Sequence, residues 1–367
     1  MLKPFRVLFI LMLSLSAAQA QQARKYSNEF LSIGVGARAF GMSNSVVATT
    51  GDATSGYWNP AGLMDVKDKL QVSVMHSVYF AGIGNYDFAS MAAPVSDKGV
   101  IGFSFNRFGV DDIVNTLDLI QNGQVDYNRI KTFSATDYAF YTSYAHRLSG
   151  KSSDSSGFYL GGSAKIVHRK VGSFATAWGY GLDIGAKYRM KNWTFGLMAK
   201  DISTTYNIWK FTFTEAEKNV FYQTNNEIPI SSVEITLPKL ILGAAHSFRV
   251  GEKNTLLAEL DMDFAFDGQR NTIANIYKMS VDPHFGLEMN FQGVVYIRGG
   301  VGNLQNYYDV SRNGNSRITT VQPNIGIGLR IKNLLIDYAL SDLGDLSTAL
   351  YSNVFSLRIA LNPANKK

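Results

Sequence analysis

The chain has no cysteine in 367 residues. That excludes a disulfide scaffold, thiolate metal sites and cysteine nucleophiles together. Charged residues are also scarce, at 17%, where a soluble domain carries about a quarter. Proline is rare, with 8 residues, and no segment beyond the N-terminus approaches 18 consecutive apolar residues, so helical membrane spans are not expected. Against these shortages stand 46% hydrophobic residues, 33 glycines and 13% aromatics, among them 19 Tyr and 23 Phe. Such a chain is too apolar for disorder. Its composition points to a surface much of which does not face water.

The first twenty residues read as an export signal. Lys3 and Arg6 form a positive start, Val7 to Leu15 is an apolar run, and Ala18-Gln19-Ala20 is a small-x-small cleavage site. The alternative is a short N-terminal anchor, but the run falls short of the roughly 20 residues a spanning helix needs. No cysteine follows, so a lipoprotein is excluded. The mature chain is expected to start near Gln21. Basic minus acidic residues are 35 − 29 = +6, and losing Lys3 and Arg6 leaves +4. That excess is mild and spread along the chain, so no nucleic-acid partner is implied.

The remainder alternates with period two, the pattern of strands with two unlike faces. In Tyr180–Met190, Leu182, Ile184, Ala186, Tyr188 and Met190 oppose Gly181, Asp183, Gly185, Lys187 and Arg189. In Thr255–Phe264, Leu256, Ala258, Leu260, Met262 and Phe264 oppose Leu257, Glu259, Asp261 and Asp263. Ile325, Ile327, Leu329 and Ile331 oppose Asn324, Gly326, Gly328 and Arg330, and Phe355, Leu357, Ile359 and Leu361 oppose Ser356, Arg358 and Ala360. A soluble sandwich alternates too, with its apolar face in the core. Two features favour a barrel in lipid. The segments run about ten residues, the length that crosses a bilayer at a tilt, and the polar face mixes glycine with both charge signs, which suits a crowded lumen.

Fourteen such segments are expected, approximately Leu70–Tyr79, Tyr86–Pro94, Gly99–Phe108, Asp137–Leu148, Phe158–Lys170, Tyr180–Met190, Trp193–Lys200, Lys239–Phe248, Thr255–Phe264, Val281–Phe291, Val294–Leu304, Val321–Arg330, Leu334–Leu340 and Ser352–Leu361. An even number suits a bacterial barrel with both termini in the periplasm. Long and short connections alternate almost throughout. Gly109–Thr136 and Asp201–Pro238 are the longest, at 28 and 38 residues, whereas Lys191-Asn192, Gln292-Gly293 and Lys332-Asn333 are hairpin turns. Aromatics gather near segment ends, as at Tyr79-Phe80, Tyr138, Phe140, Tyr141, Tyr144, Trp178, Trp193 and Tyr307-Tyr308. Interfacial girdles place them there, although β-propensity also enriches aromatics in strands. The expected fold is therefore all-β, a 14-stranded antiparallel transmembrane barrel in the cell outer membrane, surrounded by outer-membrane lipid.

Residues 21–69 do not alternate. They contain Phe30-Leu31-Ser32-Ile33-Gly34-Val35-Gly36-Ala37-Arg38-Ala39-Phe40-Gly41-Met42, then Asp52 and Tyr57-Trp58-Asn59-Pro60-Ala61-Gly62-Leu63. Gly34-x-Gly36 is no dinucleotide fingerprint, because the strand, helix and downstream acid of that motif are missing. Asn59-Pro60-Ala61-Gly62 marks a turn. A fourteen-strand barrel lies between filled eight-strand barrels and open porins, so this segment is expected to plug the lumen. The domain limits read as signal 1–20, plug 21–69 and barrel 70–367.

On those two blocks the chain resembles the PorV/PorQ family of Bacteroidetes outer-membrane proteins, which share the fold of the long-chain fatty-acid transporter FadL. The motif residues are Gly34, Gly36, Ala37, Arg38, Gly41, Met42, Asp52, Trp58, Asn59, Pro60, Ala61, Gly62 and Leu63. The Gly-Ala-Arg-x-x-Gly-Met stretch leans towards PorV. One departure is the ending Asn362-Pro363-Ala364-Asn365-Lys366-Lys367 in place of a terminal aromatic. The resemblance implies a component of the type IX secretion system found in gliding or pathogenic Bacteroidetes. It further implies a non-enzymatic adaptor that binds the translocon barrel and the C-terminal domains of exported cargo. The two long outward loops are then the expected partner surface.

Catalytic chemistry, cofactors and metals are not expected. His76, His146, His168, His246 and His284 sit in different strands without metal-ligand spacing, and no Gly-x-Ser-x-Gly elbow occurs. Asp261, Asp263 and His284 could meet across neighbouring strands as a hydrolase would need. The alternative is lumenal charge pairing with Lys165, Lys187, Arg189, Arg298, Arg330 and Arg358, and it is preferred because confined charges need partners. Two other functions stay open. A FadL-like transporter of small hydrophobic molecules needs an apolar pocket and a gap in the wall, with kinks at Pro94 and Pro283 as candidates. A soluble secreted β-protein would need no detergent.

Overall fold

In the computed structural model the alternating segments form antiparallel strands that close on themselves. The structure describes residues 27–79, 82–121, 124–150, 156–268, 270–276, 279–308, 317–341, 343 and 351–361. The export signal, Phe80 and Asn362–Lys367 lie outside the described residues. Among the described residues no helix is long and apolar enough to cross a membrane, and the strands cross instead.

The wall has fourteen strands. They are β1 (Leu70–Tyr79), β2 (Gly84–Ser96), β3 (Gly99–Asn115), β4 (Lys131–Ser149), β5 (Ser156–Val171), β6 (Ala175–Met190) and β7 (Trp193–Lys200, resuming at Thr205–Phe211). Then come β8 (Val233–Thr236, resuming at Lys239–Val250), β9 (Asn254–Ala265), β10 (Met279–Phe291), β11 (Val295–Tyr308), β12 (Arg317–Ile331), β13 (Leu334–Ser341) and β14 (Ser352–Leu361). Each pairs with its sequence neighbours, and β1 pairs with β14 from Leu70↔Leu361 to Val78↔Asn353, which leaves no free edge. The alternation sorts the faces. Ile184, Ile327, Leu329 and Phe355 are exposed on the outside of the wall, while Lys165, Asp183, Lys187, Glu259 and Arg298 are buried inside. A soluble sheet would invert this order, so the exposed apolar band marks the lipid-facing surface.

Three expectations change. β3 and β4 stay paired to Asn115↔Lys131, past a register shift at Val110/Ile113, because their ladder continues beyond the apolar band. The loop expected over Gly109–Thr136 shrinks to 116–130. The loop expected over Asp201–Pro238 shrinks to 212–232, because β7 and β8 resume above a break and pair as Thr205↔Thr236 to Ile208↔Val233. It carries one helix, α3 (Glu215–Gln223), started by a capping box in which Thr214 and Glu217 bond each other's backbone. Finally, Tyr79 and Tyr141 do not join an outer girdle. Both are buried inside, where Tyr141 meets the Tyr57 ring at 6.1 Å, whereas Tyr144, Trp178 and Trp193 do face outwards.

Neither proline opens the wall. Pro94 sits at a register shift near the terminal end of β2, and Pro283 faces Met262 in an unbroken ladder. The break lies elsewhere. Asp201 and Thr204 take positive φ (55° and 58°) between the halves of β7, and Leu237-Pro238 interrupts β8 beside them, proline having no N–H to give. The bulge is stitched back by the Asp201 amide, which donates to Asp183 Oδ1 at 2.7 Å, and by the Leu182 amide, which donates to Ser203 Oγ at 3.0 Å.

Candidate functional site

The lumen is filled by residues 27–69. Their path uses a 3-10 turn (Glu29–Ser32), α1 (Ala37–Gly41), α2 (Ser55–Trp58) and a 3-10 turn at Pro60–Asp65. Glycine opens the first bend, where Gly34 and Gly36 take φ of 108° and 85° that other residues avoid. Pro60 starts the last turn at the position where its missing N–H costs nothing. The segment is as buried as a protein core, with Val35, Ala37, Met42, Ala48, Ala61 and Leu63 fully shielded.

The motif residues form the seat. The Ala37 amide donates to Ser356 Oγ of β14 at 3.1 Å. Arg38 donates to Glu288 of β10 at 2.9 Å and to Thr49 at 3.2 Å. Trp58 donates its indole N–H to the Val35 carbonyl at 2.9 Å. Asn59 donates to the carbonyls of Val47 and of Ala186 on β6, both at 3.0 Å, and accepts from the Ala61 amide. Gly41 lies against Gly326, so a Cβ on it would come within 3.0 Å of backbone. Gly62 is closed in by the Thr50 carbonyl, and Met42 and Leu63 fill the space over the wall glycines Gly286 and Gly102. Inner-face glycines of the wall therefore make room for the plug backbone as well as for charge.

Buried charges then fasten it. Asp65 accepts from Lys187 and Arg189 of β6, each at 2.7 Å, and Lys187 also reaches the Thr50 carbonyl at 2.7 Å. Asp52 pairs with Arg358 of β14 and accepts from the Thr54 amide at 2.9 Å. Burial pushes the Asp52 carboxyl up, but Arg358 and the Thr54 bonds outweigh it and hold the group below the usual carboxylate range. The same contest at Asp65 is won by Lys187 and Arg189. On β9, Asp261 accepts from the amides of Val46 and Val47, both at 2.9 Å. Glu259 accepts from the amides of Ala48 (2.7 Å) and Thr49 (3.2 Å) and from the Thr49 hydroxyl.

The wall charges named in the sequence also find partners. Lys165 holds Asp183 (2.9 Å) and Asp201 (2.6 Å). Arg298 bridges Glu288 and Asp337, both at 2.6 Å, and Arg330 lies over the Tyr296 ring. The trio Asp261, Asp263 and His284 does not assemble. Asp261 is occupied by plug amides, Asp263 pairs with Lys239, and His284 Nε2 stands 3.8 Å from Asp263 and 3.6 Å from Asp282. Among the described residues no group of three or more His, Asp or Glu could hold a metal ion. Lys239 and Asp337 were not singled out in the sequence, since only strand register decides that they meet Asp263 and Arg298.

Beyond the plug, towards the long-loop end, a cavity of about 450 Å³ remains. Its lining mixes the plug residues Phe40, Asn44 and Trp58 with Lys200, Asp263 and His284 of the wall. The Lys200 ammonium sits 4.2 Å from the centre of the Tyr57 ring, a cation–π contact between wall and plug. The lining is mixed, since Ile33, Phe40, Val47, Trp58 and Ile241 stand beside the charged groups.

A closed fourteen-strand barrel with its band of apolar side chains outside and a packed N-terminal plug defines an outer-membrane protein of the FadL-like fold. Solved structures agree at the level of fold. The toluene transporter TodX of Pseudomonas putida is 13% identical, with 89% of this chain and 96% of that chain covered and a TM-score of 0.53. The CymD monoaromatic hydrocarbon channel is 13% identical, with 90% and 98% covered and a TM-score of 0.57. A FadL homologue of Pseudomonas aeruginosa is 12% identical, with 90% and 98% covered and a TM-score of 0.51. No curated protein sequence matches. Residues 16–263 match the family described as type IX secretion system protein PorV, and the chain belongs to that family.

Proposed function

We propose that this barrel is a non-enzymatic adaptor of the type IX secretion system, binding the translocon barrel, the C-terminal domains of exported cargo, or both. The observation that carries the reading is the closed lumen. Among the described residues, a plug fastened at Asp65, Asp52 and Arg38 fills the lumen, which supports a role carried by surfaces. Among these, the loop 212–232 with α3 and the loop 116–130 join strands whose pairing continues past the lipid band. We assign the motif residues a structural part, as the seat of the plug, and take 21–69 and 70–367 as plug and barrel behind a cleaved signal at 1–20. The test is affinity purification from the native host of the intact protein and of a variant with 214–230 replaced by a short Gly-Ser linker. Loss of translocon or cargo with retained outer-membrane level is the expected result. Unchanged co-purification overturns the loop assignment.

The break in β7 and β8 favours a second reading, a transporter of small hydrophobic molecules with a side exit. It predicts a lipid-like ligand in the purified protein and no loss of protein partners on loop replacement. The two readings separate in the same purification.

A further inference from the structure

We propose that a ring of lysines at the terminal end of the barrel holds the anionic phospholipid headgroups of the periplasmic leaflet. That end carries both chain termini of the wall and the short turns, and so faces the periplasm. Among the described residues, exposed basic side chains there are Lys67, Lys69, Lys98, Lys191, Arg249, Lys253, Arg330 and Lys332, against exposed Asp97 and Glu252. The opposite end is mixed, with Lys131, Lys170 and Lys210 exposed beside Asp111, Asp112, Glu215 and Glu227. The asymmetry is therefore confined to one rim.

Position distinguishes the partner. Lys69, Lys98, Lys191, Lys253 and Lys332 stand at five separate places around the circle, from the start of β1 to the β12–β13 turn. A protein docking from one side would meet a patch, whereas a headgroup layer meets the whole circumference. Two of the turn lysines directly border the lipid-facing band. Lys191 lies between Met190 and Trp193, and Lys332 follows Ile331, all exposed on the outer wall. A four-carbon stem can lie along such apolar surface while its ammonium reaches the phosphate level. The backbone does not ask for lysine here. Lys191 and Lys332 both take φ of 53°, a conformation that favours Gly, Asn or Asp. Anionic surfaces attract basic clusters of this kind, and the attraction grows with each added charge.

The test uses the purified full chain in nanodiscs of equal phosphatidylcholine and phosphatidylglycerol. Lipids retained by the protein are measured by native mass spectrometry. Phosphatidylglycerol should be enriched about fivefold or more over phosphatidylcholine, with the enrichment falling as salt rises. The variant Lys191→Glu/Lys253→Glu/Lys332→Glu should lose it. A second variant, with the same lysines changed to Arg, keeps the charge and should retain the enrichment, which separates headgroup binding from damage to the turns. Equal retention of both lipids by the wild type overturns the proposal. So does a triple-Glu variant that keeps the preference.

Discussion

Replacing Asp65 by Asn should loosen the plug while leaving the wall intact. Asp65 is the shared acceptor of Lys187 and Arg189. The two cations differ in their access to water. The Arg189 side chain is 31% exposed and can hydrate, but Lys187 is only 2% exposed and would keep neutral acceptors, the Thr50 carbonyl and the Asn amide oxygen, with no counter-charge. Removing one partner of a buried pair costs about 3–5 kcal/mol. The surviving carbonyl bond and the hydrated arginine put this case near the lower end, at about 3 kcal/mol. At 1.36 kcal/mol per tenfold, plug opening rises roughly 150-fold. Amide hydrogen exchange reads this directly, because slow amides at 46–63 should accelerate by that factor while those of β4 to β6 do not. Asp65→Leu with Lys187→Met removes both charges and should restore much of the protection. Acid should mimic Asp65→Asn. The Asp65 and Asp52 carboxyls are held below their unfolded values, so their contribution is complete above about pH 4 and is lost as pH falls through the folded values. Unchanged exchange in Asp65→Asn at neutral pH would refute the claim that ion pairs fasten the plug.

Three further outcomes follow from the same geometry. Gly161→Val places a Cβ within 2.5 Å of the Ala61 amide nitrogen, so the Pro60 turn must move. About 1–3 kcal/mol of plug destabilisation is expected, seen as new protease cleavage at 59–66 in folded barrels. Asn59→Ala strands the Val47 and Ala186 carbonyls and should cost about 1–3 kcal/mol, measured as a lower urea midpoint for plug exchange. Ile184→Arg puts a guanidinium on the outer wall at mid-height and should cost about 2–4 kcal/mol of barrel stability in lipid. Wild-type stability for that variant would argue against the lipid-facing band.

The barrel was legible in the sequence because alternation reports a face at each residue. β1 and β14 begin and end where alternation placed them, and lumenal pairing was visible in the polar face of β6. The extent of β3, β4, β7 and β8 was not legible. Above the lipid band both faces are wet, so apolar period no longer marks a strand, and hydrogen bonding alone continues it. The break at Asp201–Thr204 was hidden in what read as loop, although Pro238 beside it carried a signal. The plug's seat was half visible. Gly185 and Gly326 appeared among the polar positions, but that they admit Asn59, Pro60 and Gly41 depends on contacts across hundreds of residues. Asp261 shows the same limit, for its partners are backbone amides that no residue pattern advertises.

The plug is the first part of the described chain to be synthesised, yet its fastenings include Glu288 on β10 and Ser356 and Arg358 on β14. Ala37 and Ser356 are separated by 319 positions. Such distant pairing is slow, because chain entropy is spent before any contact rewards it. Asp52 can meet Arg358 only once the last strand is in place. Stopper and ring share those contacts, so a lesion in β14 should be felt at the chain's beginning as well as at its seam.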